Sequence, residues 1–194
     1  MLSDDELREW ALEREAGFAR AAAKEEVLRQ LVLQRTQGGL WHTTRPERFD
    51  RILSTGAILP EPDILDSERW ANAGPEHYPY VRTLGGVSLF DFDGFNPRTY
   101  HDRYWATWEH FVPYRSEWGS AVWVEIDRDK VAPPGFLSGR ELLKRWRADG
   151  SPMGNLLMPE IEAAYIGPVP AAAFKSAFQV SENDPELREI AIPK

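Results

Sequence analysis

The carboxylates of Glu160 and Glu162 stand two positions apart in "MPEIEAAYI", a segment that reads as a strand from Glu160 to Ile166. On a strand such spacing puts both on one face, about 7 Å apart. Two carboxylates on one face repel, so at least one must be poised by its neighbours, either for acid–base or charge-stabilising chemistry or as a solvated edge pair. Glu162, followed by "AAYI", is the one that a cleft would bury; Glu160 follows a proline at the strand's start. Ser88 lies in the apolar run "VSLF" directly after Gly85-Gly86, where backbone or ligand can approach closely. His42 ends the short run "GGLWHTT" at the mouth of a helix, where an imidazole serves a ligand as readily as a core. Arg45 and Arg82 each have the planar fork that grips a phosphate bidentately. "DFDG", residues 91–94, carries two acids and a turn glycine but too few oxygen ligands for calcium.

The elements that must position these residues are signalled locally. Thr44 with Glu47 forms a capping box, Pro46 fits the first turn, Phe49, Ile52 and Leu53 share a face, and Gly56 is the stop. Ser3 with Glu6 opens a much longer helix reaching Arg35, either continuous over roughly 45 Å or broken near Gly17. It either packs across the domain's back or meets a partner or a second copy. Residues 60–80, with four prolines and Gly74, read as an irregular loop. "GVSLF" is a short strand, "RTYHDRYWATWEHF" has aromatics near helical spacing, and "SAVWVEIDRD" alternates Val122, Val124 and Ile126 against Trp123, Glu125 and Asp127 as a strand does. Ser138 with Glu141 opens a helix closed by Gly150. After the strand at Glu162 come a Gly-Pro turn, a short helix from Pro170, a last strand around Phe178 and Val180, and an acidic loose tail. Short strands interleaved with helices and long connections favour an α+β fold.

The chain of 194 residues suits one core, read as a helical extension over 1–37 and a single α+β domain over 38–194. Its net charge of −8 disfavours nonspecific binding to phosphate backbones, although a local basic groove is compatible with it. No apolar run is long enough to span a membrane and the N-terminus is charged, so the expected location is the cytoplasm. The absence of cysteine removes disulfides and thiolate chemistry, and the four histidines lack ligand spacing, so no metal is expected. GxGxxG, Walker and GxSxG motifs are all missing.

Taken in order, "LWHTT", the helix "RFDRILSTGAI", "GGVSLF", "AVWVEIDRDKV" and "EIEAAYIGPVP" resemble the ADP-ribosyltransferase fold, most closely the DarT-like DNA ADP-ribosyltransferases and related small toxin- or phage-associated members. The resemblance spans about residues 39 to 175. It implies two small antiparallel sheets forming an NAD cleft, with flanking helices. It also implies an enzyme that cleaves NAD and transfers ADP-ribose to DNA, RNA or protein. In that scheme His42 contacts the adenosine ribose with Thr44 beside it. Ser88 lines the nicotinamide side, and Phe90, Tyr100 or Tyr104 stacks on the ring. Glu162, placed by counting back from Val169-Pro170, stabilises the oxocarbenium-like state. Neither Arg45 nor Arg82 matches the family's base-modifying arginine, and its "VPFYF" element is echoed only by "FVPYR". Two other readings share the sequence: a noncatalytic module with a degraded site, and a different enzyme, either an RNA 2′-phosphotransferase or a hydrolase using the Glu160/Glu162 pair.

Overall fold

The computed structural model describes residues 4–65, 68, 78–104, 108–131, 134–152 and 154–193. The fold is α+β and its strands pair antiparallel throughout. A seven-stranded sheet runs in the order β5-β6-β3-β1-β4-β8-β9, and a two-stranded ribbon joins β2 to β7. The strands are β1 (Leu40–Thr44), β2 (Ala57–Ile58), β3 (Gly86–Asp91), β4 (Ser120–Ile126), β5 (Phe136–Leu137), β6 (Glu162–Ile166), β7 (Val169–Pro170), β8 (Phe174–Ser181) and β9 (Asp184–Ile190). The helices are α1 (Asp4–Thr36), α2 (Pro46–Thr55), α3 (Tyr80–Thr83), α4 (Pro97–His101) and α5 (Gly139–Ala148).

The large sheet is two halves meeting at a narrow seam. β1 pairs with β4 through all five of its residues, but its ladder with β3 is confined to Leu40↔Asp91 and Trp41↔Phe90. On one side of the seam β3 continues into β6 and β5; on the other, β1 continues into β4, β8 and β9. Apolar side chains fill both faces. Trp41, Trp123 and Phe178 pack with Leu28 and Val32 of α1, while Leu40, Val122 and Val124 pack with Phe49 of α2. That double coverage is why Trp123, expected opposite the buried valines of an alternating strand, is itself fully buried.

α1 is continuous through Gly17, 33 residues and about 50 Å. Only its C-terminal part docks: Leu28, Val32 and Thr36 are buried, while residues 6–16 and 18–27 are exposed. The join to β1 is covalently close and tightly bonded. Trp41 Nε1–H donates to the Thr36 carbonyl at 3.0 Å, and Gly39 is required there, because a Cβ would lie 2.1 Å from Trp41 Nε1. Arg35 spreads over Trp41 and Phe178 and pairs with Glu189 of β9 at 3.2 Å.

Several local expectations change. Thr44 does not cap α2: it is the last residue of β1, paired with Val122, and Arg45, held extended ahead of Pro46, is the N-cap residue with no side-chain cap bond. Gly56 closes α2 in the left-handed region at φ 73°, and Ser138 with Glu141 makes a complete capping box on α5. Among its described residues the aromatic segment 98–111 forms α4 and a 3₁₀ turn at Trp108–His110; Trp105 lies outside the described residues, as do Ser3 and His77. The expected helix at Pro170 is a single 3₁₀ turn, Ala171–Ala173. The tail is a strand, since β9 returns along β8 and supplies the sheet's outer edge.

Replacing Leu28 by Ala is expected to destabilise the protein by about 2–5 kcal/mol, because it opens a cavity under α1. Leu12→Ala, on the exposed stretch, is expected to stay within about 0.5 kcal/mol. Urea unfolding of both variants distinguishes the docked from the projecting part of the helix.

Candidate functional site

Where β1 and β3 part, a side chain takes over from the backbone ladder. The imidazole of His42 reaches across so that Nδ1 meets the Ser88 carbonyl at 3.0 Å. A carbonyl only accepts, so Nδ1 carries the proton and Nε2 is left as an acceptor. Burial lowers the His42 pKa, outweighing the opposing effect of that hydrogen bond, which keeps the ring neutral at neutral pH. The neighbouring strand supplies the acid. Phe90 and Glu162 are Cα partners across β3 and β6, which brings Ser88 within reach of the Glu162 side chain. Ser88 Oγ–H donates to Glu162 Oε1 at 2.6 Å, and the Met158 N–H donates to Oε2 at 2.8 Å. Glu162 is 1% exposed. Burial raises its pKa despite the two donors, so the carboxyl holds its proton above the ordinary carboxylate range.

These residues line one cavity of about 520 Å³, a size that suits a cofactor-sized ligand. Its wall combines His42, Thr43, Thr44, Ser88 and Glu162 with apolar surface from Ile52, Ile58, Val87 and Phe90. Among the seven residues singled out from sequence for catalysis or binding, His42, Thr44, Arg82, Ser88, Phe90 and Glu162 all reach this cavity. Thr44 is buried. Arg82 stands at the margin with its guanidinium engaged, bonded to both Glu61 oxygens at 2.7 and 3.1 Å and stacked 3.6 Å over the Tyr78 ring. Phe90 is packed among Phe92, Phe111 and Trp123, so only part of its ring is offered.

Tyr104 is a correction: it lies outside the cavity lining, and its hydroxyl donates to Glu160 Oε1 at 3.0 Å. Tyr100 is likewise buried elsewhere, its hydroxyl donating to the Pro159 carbonyl at 2.7 Å. The carboxylate pair is the second correction. β6 starts at Glu162, and Glu160 sits in the preceding turn at φ 61°, a left-handed conformation that breaks the two-residue alternation. Its carboxylate turns to Tyr104 and to Arg103, 3.4 Å away, and does not line the cavity. A hydrolase built on the two acids therefore lacks its second acid. The turn is nonetheless what aims Glu162. Tyr100 holds it from one side, and from another Gly139 lets the α5 backbone close on it: a Cβ on Gly139 would lie 1.9 Å from the Glu160 carbonyl oxygen.

Sequence reasoning missed part of the wall. Phe111 and Trp118 line the cavity, and the guanidiniums of Arg45 and Arg115 lie over the Trp118 ring at 5.5 and 5.8 Å. Burial lowers the Arg115 pKa, and Arg45 beside it adds to the effect. Arg48 and Arg51, in the first and second turns of α2, also reach the cavity. Their spacing from Pro46 was legible, but nothing in it said which side of α2 would face the seam. Thr43 Oγ1 and Arg45 Nε are buried with no hydrogen-bond partner among the described residues. Among those residues no group of acids and histidines could hold a metal, and no helix is long and apolar enough to cross a membrane.

No family model and no curated protein matches the chain. Solved structures similar to it include a heat-labile enterotoxin double mutant, 14% identical with a TM-score of 0.40, the match covering 78% of this chain and 61% of that one. Another is an E. coli heat-labile enterotoxin mutant with a buried residue replaced, 14% identical with a TM-score of 0.42, covering 78% and 75%. The chain thus spans less than two thirds of the first of these structures.

Two outcomes follow from the site's geometry. For Glu162, the folded state binds the proton more tightly than the unfolded chain. Stability is therefore lost as pH rises from the ordinary carboxylate range through the raised folded value. Glu162→Gln removes that dependence while keeping oxygen and nitrogen in place for Met158 and Ser88. Its melting temperature should equal or exceed the wild type's at neutral pH, with the gap closing in acid. A constant gap between pH 4 and 8 would show that the carboxyl titrates normally. Gly139→Ala, which forces the turn off α5, is expected to lower the melting temperature and to weaken any ligand binding at Glu162 more than Ala substitution at exposed Arg140.

Proposed function

We propose that the chain is an NAD-dependent mono-ADP-ribosyltransferase acting on a macromolecular acceptor, nucleic acid or protein. The observation that carries the reading is the convergence of a neutral imidazole, a serine hydroxyl and a buried carboxyl on one cavity. These are the three side chains that the family resemblance names, drawn from strands β1, β3 and β6. The lining suits such a dinucleotide. Apolar and aromatic surface from Ile58, Phe90, Phe111 and Trp118 is available to flat bases, Arg51 can face a phosphate, and the orphaned Thr43 hydroxyl needs a polar partner.

In this reading His42 Nε2 accepts a hydrogen bond from the adenosine ribose, its tautomer fixed by the Ser88 carbonyl. Glu162 is the catalytic residue. The N-glycosidic bond between nicotinamide and ribose breaks heterolytically, the electron pair leaving with neutral nicotinamide, and positive charge develops on the ribose. A carboxylate fixed at both oxygens by Ser88 and Met158 stabilises that charge without reorganising. The cationic nicotinamide ring of the bound substrate favours the ionised carboxyl that burial alone disfavours, so substrate and base are matched in charge. The acceptor oxygen or nitrogen then bonds to the ribose carbon and gives up its proton to solvent.

Purified protein incubated with NAD is expected to release nicotinamide. Glu162→Gln is expected to cut the rate by about 10²–10³-fold with little change in binding, the loss typical for removing one fixed charge-stabilising group. Mass shifts on DNA, RNA or protein included in the reaction identify the acceptor. Binding of NAD with no turnover would instead favour the noncatalytic module, and absence of binding would overturn the reading.

A further inference from the structure

We infer that Arg45 and Arg115 form a phosphate-binding subsite beside the Trp118 ring, at the cavity's margin. Arg45 joins β1 to α2 in an extended conformation, φ −69° and ψ 149°. Its side chain therefore leaves on the same face as that of Thr43, about 7 Å earlier along the chain. Thr43 and Trp118 line the cavity; neither arginine does, and both guanidiniums lie over the Trp118 ring, at 5.5 and 5.8 Å. A group bound by the pair thus sits just past the cavity wall, on the far side of the indole from its interior.

The need for an anion there is read from what Arg45 lacks. Its Nε is buried with no hydrogen-bond partner, and no carboxylate pairs with it among the described residues. Arg82 is the contrast, closed by both oxygens of Glu61. Stacking on Trp118 holds the Arg45 fork in place without using any of its N–H donors. A buried donor left without an acceptor costs free energy that a ligand oxygen offsets. Arg115 adds to the excess of positive charge. It lies 5.6 Å from the Phe111 ring and pairs with Glu117, but the Glu117 side chain is 48% exposed against 19% for Arg115, so water screens that pair. Burial lowers the Arg115 pKa, and the charge of Arg45 acts in the same direction against the opposing effect of Glu117. Two guanidiniums sharing one indole ring and one solvated carboxylate match the charge and the planar donor geometry that a phosphate group requires. The orphaned Thr43 hydroxyl on the same face offers a further donor to that ligand. The phosphate has two sources, the pyrophosphate of a dinucleotide in the cavity or a phosphate carried by a second ligand.

The subsite stands whether or not NAD is cleaved, and its probe is inorganic phosphate. Titrated into the full chain against chloride of equal ionic strength, phosphate is expected to raise the melting temperature saturably. It is also expected to change a tryptophan emission component that is missing in Trp118→Phe. Arg45→Met keeps the stem on the ring and removes the fork, which is expected to weaken phosphate binding about tenfold or more. Arg45→Lys should restore part of the affinity, and Arg140→Met, on exposed α5 surface, should leave it unchanged. Phosphate that weakens NAD binding supports a subsite for the dinucleotide's own pyrophosphate, and simultaneous binding of both supports one for a second ligand. No effect of phosphate beyond that of chloride overturns the proposal, as does binding that survives both Arg45→Met and Arg115→Met. Phosphate binding that leaves the Trp118 emission unmoved also overturns it, and that comparison needs no arginine variant to fold.

Discussion

The arrangement of this protein depends on a carboxyl that is almost wholly buried, at the wall of the cavity. Glu162 is buried where β6 begins, and the cost of that burial is offset by two donors, the Ser88 hydroxyl and the Met158 amide. Neither donor is a charge, so burial still dominates and the proton affinity stays high. Such a group is stabilising when protonated and becomes a fixed negative charge when something cationic enters beside it. The rest of the site is organised around that property.

The cavity exists because the seven-stranded sheet fails to zip. β1 and β3 share two residue pairs, and past them the His42 ring occupies the space in which a longer ladder would have run, bonded to the Ser88 carbonyl. Ser88 therefore works twice: its backbone oxygen orients His42 and its hydroxyl orients Glu162. A single residue on β3 thus couples the polar groups of the strands on either side. α2 covers one flank of the opening and brings Arg48 and Arg51, while the segment through Phe111 and Trp118 supplies aromatic surface at another. α1 packs on one face of the sheet and α2 on the other.

α1 contributes to this in only one part of its length. From Leu28 to Thr36 it is a lid on the core, tied to β1 by Trp41 and to β9 by Arg35. Toward the N-terminus the helix continues, and residues 6–16 and 18–27 are exposed.

Much of the local structure was decided by residues a few positions apart. Ser138 and Glu141 cap α5, Gly56 ends α2, and the alternation around Val122 and Val124 marks β4, because capping, left-handed turns and pleating are short-range physics. His42, Ser88 and Glu162 were legible for the same reason: each is a polar residue set into an apolar strand. What sequence spacing could not decide was orientation. Glu160 and Glu162 share a face only if both are in the strand, and the left-handed turn at Glu160, held by Tyr100, Tyr104 and the close approach of Gly139, separates them. Thr44 became a buried strand end because pairing with β4 claimed it before α2 could, and the acidic tail became β9 because the free edge of β8 gave it partners. Those outcomes rest on contacts between residues tens of positions apart, whose competition with local preference is settled only when the whole sheet assembles.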